Sequence, residues 1–301
     1  MRLAFHTLDV FTTERFGGNA LAVVLGADAL EPARMQSIAR EFNLSETVFV
    51  LKPQNPAHSA RIRIFTPNSE VPFAGHPTVG TAALLAELRA PGIGNSQDAI
   101  VALEETIGTV RVGVRLRAGE ANYSEFDAPR LPEELGGAPE IEQLAGAIGL
   151  IPSEIGFENH KPTRYSAGLP FTFIPVRTLD VIGRARAVIS RWDAAFARDG
   201  AVYLYCRETV HNTSQFHARM FAPGHGIVED PATGSAVAAF AAVVHRFDDP
   251  HAGEHRYAIE QGYEMGRPSL IQLAIAVQGG KLQTARIGGY SVRVADGEIA
   301  V

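Results

Sequence analysis

The sequence predicts an α+β chain built from two similar α/β units, and three observations carry that prediction. The phrase Arg63-Ile64-Phe65-Thr66-Pro67 returns as Arg219-Met220-Phe221-Ala222-Pro223. Each copy then reaches a second shared phrase, His76-Pro77-Thr78-Val79-Gly80-Thr81-Ala82 in one and Asp230-Pro231-Ala232-Thr233-Gly234-Ser235-Ala236 in the other. The copies lie about half a chain apart, which fits a duplicated unit and not a tandem array with a period of about 20 to 50 residues. Each copy also leads from a loop into an Ala-rich helix, Ala82–Ala86 and Ala236–Ala241. Duplicated units are expected to be pseudo-symmetric and to make a cleft between them, with His76 facing Asp230 if the halves face each other.

The elements follow in order. Leu3 to Phe11 is rich in strand formers, Gly17-Gly18-Asn19 punctuates, and Ala20 to Leu25 is an apolar run, so strand, turn and strand are expected. Pro32 opens a helix whose Met35, Ile38, Ala39 and Phe42 recur at the spacing of one helical face, with Asn43 closing it. Thr47 to Leu51 is β-branched and apolar, and Arg61 to Phe65 alternates strictly, so both read as strands. Glu46 therefore sits where a loop feeds a strand. The second half repeats this order: two strand-like runs between Thr163 and Val176 around Gly168-Leu169-Pro170, a helix near Ala185 to Phe196, and a strand from Ala201 to Cys206. The Val-rich run Thr109 to Leu116 precedes Arg117-Ala118-Gly119-Glu120-Ala121, which reads as the seam. The expected units are residues 1–118, completed by a returning strand at 285–301, and residues 119–284. Strand-like runs at Leu270 to Val277 and Tyr290 to Val294 make up the tail.

Composition narrows the function. Across 301 residues, 46% are hydrophobic and 20% charged, as in a soluble globular protein. The net charge of −6 and the lack of any Lys/Arg cluster argue against a nucleic-acid surface. No apolar stretch approaches the roughly 18 residues of a membrane span, and no signal peptide is read at the start. Cys206 is the single cysteine, so no intrachain disulfide forms and a reducing cytoplasm is expected.

The chemistry-bearing residues lie around the two shared phrases. A helix start carries N–H groups without partners and a positive dipole end, so Gly80-Thr81 and Gly234-Ser235 each offer a place for a carboxylate or phosphate. Taken singly, Thr81 and Ser235 read as mere caps; the matched pair favours a ligand role. His76, between Gly75 and Pro77, suits proton exchange near neutral pH, while the plain reading is a structural loop histidine. Asp230 before Pro231 reads equally as a turn initiator. Glu46 beside apolar strand residues would gain a raised pKa on burial, although an exposed strand-start glutamate is the simpler reading. No GxxxxGK[ST] or GxGxxG motif calls for ATP or NAD, and no metal site is read. His251 and His255 lie among Asp, Pro and Gly without the HExxH order, and are expected on a surface loop. Ser235 lacks a GxSxG elbow and is not read as a nucleophile.

Paired loops of this form, each entering a central helix, resemble the diaminopimelate-epimerase fold, in which each domain wraps a curved, mostly antiparallel sheet around one helix. A two-thiol racemase is excluded, because Cys206 is the lone cysteine and lies outside both loops. The wording of the loops resembles the phenazine-biosynthesis isomerases, the PhzF-like proteins. The match runs through Gly18-Asn19, Asn43-Leu44-Ser45-Glu46, Phe65-Thr66-Pro67, Glu70 and Pro72-Phe73-Ala74-Gly75-His76-Pro77. It continues through Glu229-Asp230, Ala232-Thr233-Gly234-Ser235-Ala236, Gln261-Gly262, Glu264 and Gly266-Arg267-Pro268-Ser269. The resemblance implies an acid/base isomerase with no cofactor, forming a homodimer, with Glu46 as proton shuttle and His76, Asp230 and Ser235 lining the site. Asn19, Ser45, Gly75, Gly80, Thr81, Gly234 and Ser235 are then the expected substrate-binding residues. Pro231-Ala232 stands where the phenazine enzyme tends to have Ala-Ala, and Ala20 where the family commonly has Pro, so the reaction type transfers better than the substrate.

The expected substrate is a small cyclic carboxylic acid similar to trans-2,3-dihydro-3-hydroxyanthranilate. Two alternatives remain at this point: a two-base epimerase using His76 and Asp230, and a non-catalytic protein that holds a small anion.

Overall fold

Strands dominate the computed structural model, which describes residues 1–90, 96–196 and 200–301. The chain divides into two units, Met1–Pro129 with Gly288–Val301, and Arg130–Ile287.

The first unit holds β1 (Arg2–Val10), β2 (Asn19–Val24), β3 (Glu46–Leu51), β4 (Ala60–Phe65), β5 (Glu70–Val71), β6 (Gln97–Glu105), β7 (Gly108–Leu116) and β8 (Asn122–Asp127). Its helices are α1 (Pro32–Phe42) and α2 (Gly75–Arg89). β1 pairs β2 antiparallel, β2 pairs β3 parallel, and β3–β4 and β4–β5 are antiparallel. β4–β6 is parallel and β6–β7 antiparallel. β7 then pairs β8 antiparallel, which carries the unit past the seam expected at Arg117 to Ala121.

The second unit holds β9 (Glu133–Glu134), β10 (Thr163–Ser166), β11 (Pro170–Pro175), β12 (Val202–Cys206), β13 (Phe216–Ala222), β14 (Ile227–Asp230), β15 (Gly253–Gln261) and β16 (Ser269–Gln278). β10–β11 is antiparallel, β11–β12 parallel, β12–β13 and β13–β14 antiparallel, β13–β15 parallel and β15–β16 antiparallel. From β1 and from β10 the pairing senses therefore run in one order. Its helices are α3 (Ile141–Ile148), α4 (Leu179–Arg184), α5 (Ile189–Phe196) and α6 (Gly234–Phe247). The single helix expected at Ala185 to Phe196 is two, because Ala185 turns to extended backbone with ψ 146° and ends α4. His255 lies within β15, not on a loop, and its Nε2 is 2.7 Å from the His251 carbonyl. Strand β17 (Lys281–Ala300) enters the first unit at Gly288 and pairs antiparallel with β1, Arg2 opposite Ala300.

Strand alternation sorts the first unit's side chains into two layers. Leu3, Val24, Phe49 and Leu51 pack with Met35, Ile38 and Ala39 of α1. Side chains of opposite parity, including Val10, Leu21, Val48 and Glu46, turn to the face of α2. That helix is buried on every side from Gly75 to Ala86 and packs on β1, β2, β3, β6, β7 and β8, so it needs no polar stripe. A Cβ on Gly80 would lie 2.6 Å from Val10 Cγ2 and 2.7 Å from Leu21 Cδ2, so the residue is glycine because strand and helix touch there.

The repeated arginines have matching partners. Arg63 forks onto Glu70 at 2.7 and 2.6 Å, and Arg219 onto Glu229 at 2.7 and 2.8 Å, each tying a middle strand to the short strand beside it.

The loop between β1 and β2 is strained. Phe11 and Phe16 both sit at positive φ, 65° and 72°, and a Cβ on Gly18 would lie 2.3 Å from the Val10 carbonyl. Phe16 is 72% exposed and its N–H donates to buried Asp9 at 2.6 Å. Left-handed backbone costs an L-residue about 1 to 2 kcal/mol, and glycine's extra freedom in the unfolded chain takes back about 0.5 to 1 kcal/mol. Phe16→Gly is therefore expected to stabilise the protein by about 0.5 to 1 kcal/mol in urea denaturation, since little buried area is lost.

No helix among the described residues is long and apolar enough to cross a membrane.

Candidate active site

Glu46 is the first residue of β3, opposite Leu21 of β2 in the parallel register. Its parity directs it to the face of α2, where its Oε2 lies 3.4 Å from His76 Nε2. The Glu46 side chain is 14% exposed and that of His76 4%. At 3.4 Å the contact is longer than an ordinary N–H···O hydrogen bond, so neither group is locked by the other.

His76 is not on a loop. Helix α2 begins at Gly75, one turn earlier than the shared phrase suggests, which makes His76 its second residue and Pro77 its third. Proline is tolerated there because first-turn N–H groups have no intrahelical acceptor. The first such bond runs from Thr78 N to the Ala74 carbonyl at 3.2 Å. The N–H groups of Gly75 and His76 precede it and point out of the helix start, where an anion is favoured.

Two expectations change accordingly. Gly80 and Thr81 lie in the second turn, not at a helix start, so their N–H groups belong to the helical ladder and offer no anion site. Gly80 serves the contact with Val10 and Leu21 described above, and Thr81 is fully buried. Proton exchange by His76 near neutral pH is also not what its position gives. Burial pushes the imidazolium from 6.5 down to about 3, so the ring is neutral at physiological pH and is a hydrogen-bonding group more than a base.

Asn19 opens β2 and is 1% exposed. It shares the face of Leu21 and so turns toward α2, at the same sheet end as Glu46. Ser45 is half-buried in the turn that precedes Glu46. Asn43, at φ 51°, closes α1 and starts that turn.

In the second unit, Asp230 ends β14 and is 6% exposed. Its Oδ2 accepts from the Thr233 hydroxyl at 2.6 Å. Gln261 braces the same segment, accepting from Thr233 N at 3.1 Å and donating to the Asp230 carbonyl at 2.7 Å. Helix α6 starts at Gly234, and its first intrahelical bond is Val237 N to the Thr233 carbonyl at 3.1 Å. Gly234 and Ser235 are thus a true helix start, as the sequence suggests, with N–H groups ahead of the ladder.

Sequence reasoning missed a buried polar network behind Gln261. His217, 1% exposed, lies 3.1 Å from Glu260 Oε2 through Nδ1 and 3.0 Å from Glu264 Oε1 through Nε2. Burial by itself disfavours the imidazolium, but the two carboxylates outweigh it and raise the group from 6.5 to about 9. Missed too was Glu105, 8% exposed at the end of β6, whose Oε1 lies 2.8 Å from the Thr78 hydroxyl. Extending the repeat would have found both, since Glu104-Glu105 ends β6 where Glu260-Gln261 ends β15.

Cys206 is buried, and burial pushes its thiol up to about 12, so it is not a thiolate at neutral pH. No group of three or more His, Cys, Asp or Glu among the described residues is arranged to hold a metal ion. A cavity of about 850 Å³ near the C-terminal end of α2 is lined by Arg15, Glu87, Arg117 and Arg293 and by none of the residues above. Arg117 is held by Asp98 at 2.9 Å, Arg293 lies 3.5 Å from Glu87, and Arg15 Nε donates to the Arg293 carbonyl at 2.9 Å.

The sequence and the fold are paralleled in known proteins. The family model described as phenazine biosynthesis-like protein matches residues 8–297. The chain is 53% identical over 298 residues to an uncharacterised isomerase of Mesorhizobium japonicum, covering 97% of each. It is 33% identical over 301 residues to trans-2,3-dihydro-3-hydroxyanthranilate isomerase of Pseudomonas fluorescens, covering 98% of each. Among solved structures, a phenazine biosynthesis protein of the PhzF family from Bacillus anthracis superposes with a TM-score of 0.89 at 26% identity over the whole of both chains.

Proposed function

Since the chain belongs to the phenazine biosynthesis-like family and is an isomerase, we propose that it moves a proton between two carbons of a small cyclic carboxylic acid, with Glu46 as the carrier. The observation that carries this reading is the pair itself: a mostly buried carboxylate 3.4 Å from an imidazole that burial keeps neutral. Glu46 as carboxylate takes the proton and returns it on the same face of the ring. His76 contributes a neutral N–H or lone pair, and the N–H of Gly75 stabilises negative charge as it develops. Asn19 and Ser45 contact the substrate from the first unit. The same proposal gives Asp230, Gly234 and Ser235 of the second unit a share in binding it. The proposal gives Gly80 and Thr81, in the second turn of α2, no share in binding. No cofactor is invoked.

The two-base epimerase is disfavoured because an imidazole whose conjugate acid sits at about 3 is a weak base for a carbon acid. Common ancestry of the two units is part of the proposal and is supported by the shared order of pairing senses. A homodimer and a cytoplasmic location are also proposed, the former checked by sedimentation of the pure protein.

The relative from Pseudomonas fluorescens supplies the first substrate to try. Incubation with trans-2,3-dihydro-3-hydroxyanthranilate in heavy water, followed by proton NMR, is expected to show substrate loss with deuterium entering the ring. If the spectrum stays unchanged with fully folded protein, that compound is not the substrate.

A further inference from the structure

The internal repeat assigns a protonation state. With Arg63 equivalent to Arg219, the parallel registers pair Arg61 with Glu104 and His217 with Glu260. The equivalence is functional as well as positional. Glu104 accepts the N–H groups of Gln54 and Asn55 at 2.7 and 2.8 Å, and Glu260 those of Val210 and His211 at 2.8 and 2.7 Å. Each also meets a histidine Nδ1, from His58 at 2.9 Å and from His217 at 3.1 Å.

One residue further on, the first unit has Glu105 and the second has Gln261. Gln261 is a neutral amide that braces the entry to α6. Glu105 braces α2: its Oε1 lies 2.8 Å from Thr78 Oγ1, and that hydroxyl is also 2.8 Å from the Ala74 carbonyl. A hydroxyl has one proton to give. Were Glu105 a carboxylate, two acceptors would compete for it, and Oε2, which is buried with no hydrogen-bond partner, would share a full negative charge. With the carboxyl protonated, Glu105 O–H donates to Thr78, Thr78 O–H donates to Ala74, and the remaining oxygen is an uncharged carbonyl.

We propose that Glu105 is a neutral carboxylic acid that positions the first turn of α2, and that the reaction depends on its keeping that proton. The inference rests on the reading of Gly75 and His76 as site residues, because they lie between the two residues, Ala74 and Thr78, that this chain of hydrogen bonds links. Burial pushes the carboxyl from 4.5 up to about 8, opposed only by the Thr78 bond. The groups around it fit. β4 contributes Ile62, β7 places Gly108 opposite it, and α2 contributes Thr78. Arg61, Arg63, Glu70 and Glu104 border the groove that Glu105 also lines, with Arg63 committed to Glu70. Because the folded form holds a proton that the unfolded chain releases, the contribution is complete below 4.5 and is lost as pH rises to about 8.

Two measurements test this. Carboxyl ¹³C NMR of glutamate-labelled protein without substrate is expected to show one resonance titrating near pH 8 that is absent in Glu105→Gln. A Glu105 resonance already ionised at pH 6 overturns the assignment, whatever the substrate proves to be. In the deuterium-exchange assay, Glu105→Ala is expected to lower kcat by about 10- to 100-fold through misplacement of the turn. Glu105→Gln, which restores a neutral donor, is expected to recover most of that loss and to remain active above pH 8, where the wild type declines. An alkaline decline of equal midpoint in Glu105→Gln and wild type overturns the positioning role.

Discussion

Glu46→Gln is expected to lose about 10² to 10⁴ in the rate of proton transfer, the contribution of one positioned acid/base group. The substitution keeps the size and shape of the side chain at the start of β3 and removes only the basic oxygen. His76 cannot take over, because burial holds its conjugate acid at about 3 and the ring stays a weak base at neutral pH. KM is expected to change little, since the groups proposed to bind the substrate, Asn19, Ser45 and the helix-start N–H groups, are untouched. The measurement is deuterium incorporation from heavy water under single-turnover conditions, with binding followed separately by isothermal titration. Exchange within threefold of wild type would remove Glu46 from the mechanism. Loss of binding with unchanged chemistry on the bound fraction would instead make it a recognition residue.

His217→Phe is expected to destabilise the protein by about 3 to 5 kcal/mol, the usual effect of removing one partner from a buried ionic set. Glu260 is fully buried and Glu264 largely so, and with His217 gone their charges face each other without the cation that holds them. The pH dependence has a definite sign. A histidine raised from 6.5 to about 9 gives stability that is complete below 6.5 and is lost as pH rises through about 9. Urea denaturation at pH 6 and pH 10 is therefore expected to show a wide gap between wild type and variant at the lower pH and a narrow one at the higher. A gap below about 1 kcal/mol at pH 6 would mean that the histidine is not a buried cation.

Much of this protein was legible in its sequence, and for a physical reason. Alternation and helical spacing report burial directly, so β4, α1 with its Asn43 terminus, and the strand that begins at Glu46 could be read without coordinates. The repeat located the two central helices, whose long Ala-rich apolar runs mark buried helices. Wording alone brought Glu46 and His76 forward, and the family followed from the same phrases.

What the sequence could not decide was where a helix starts and which groups keep their protons. The phrase shared by His76 and Asp230 is helical from its first residue in one unit and starts on the last residue of a strand in the other, because Thr78, Ala74 and Glu105 close a turn in the first while Thr233 and Gln261 delay it in the second. Protonation depends on what surrounds a group in three dimensions. His217 and His76 are the same residue type and both are buried, yet two carboxylates raise one to about 9 while burial lowers the other to about 3. Residue type and spacing determined the fold and the family; packing, which sets desolvation and hydrogen-bond partners, decided which of the candidate groups can carry a proton.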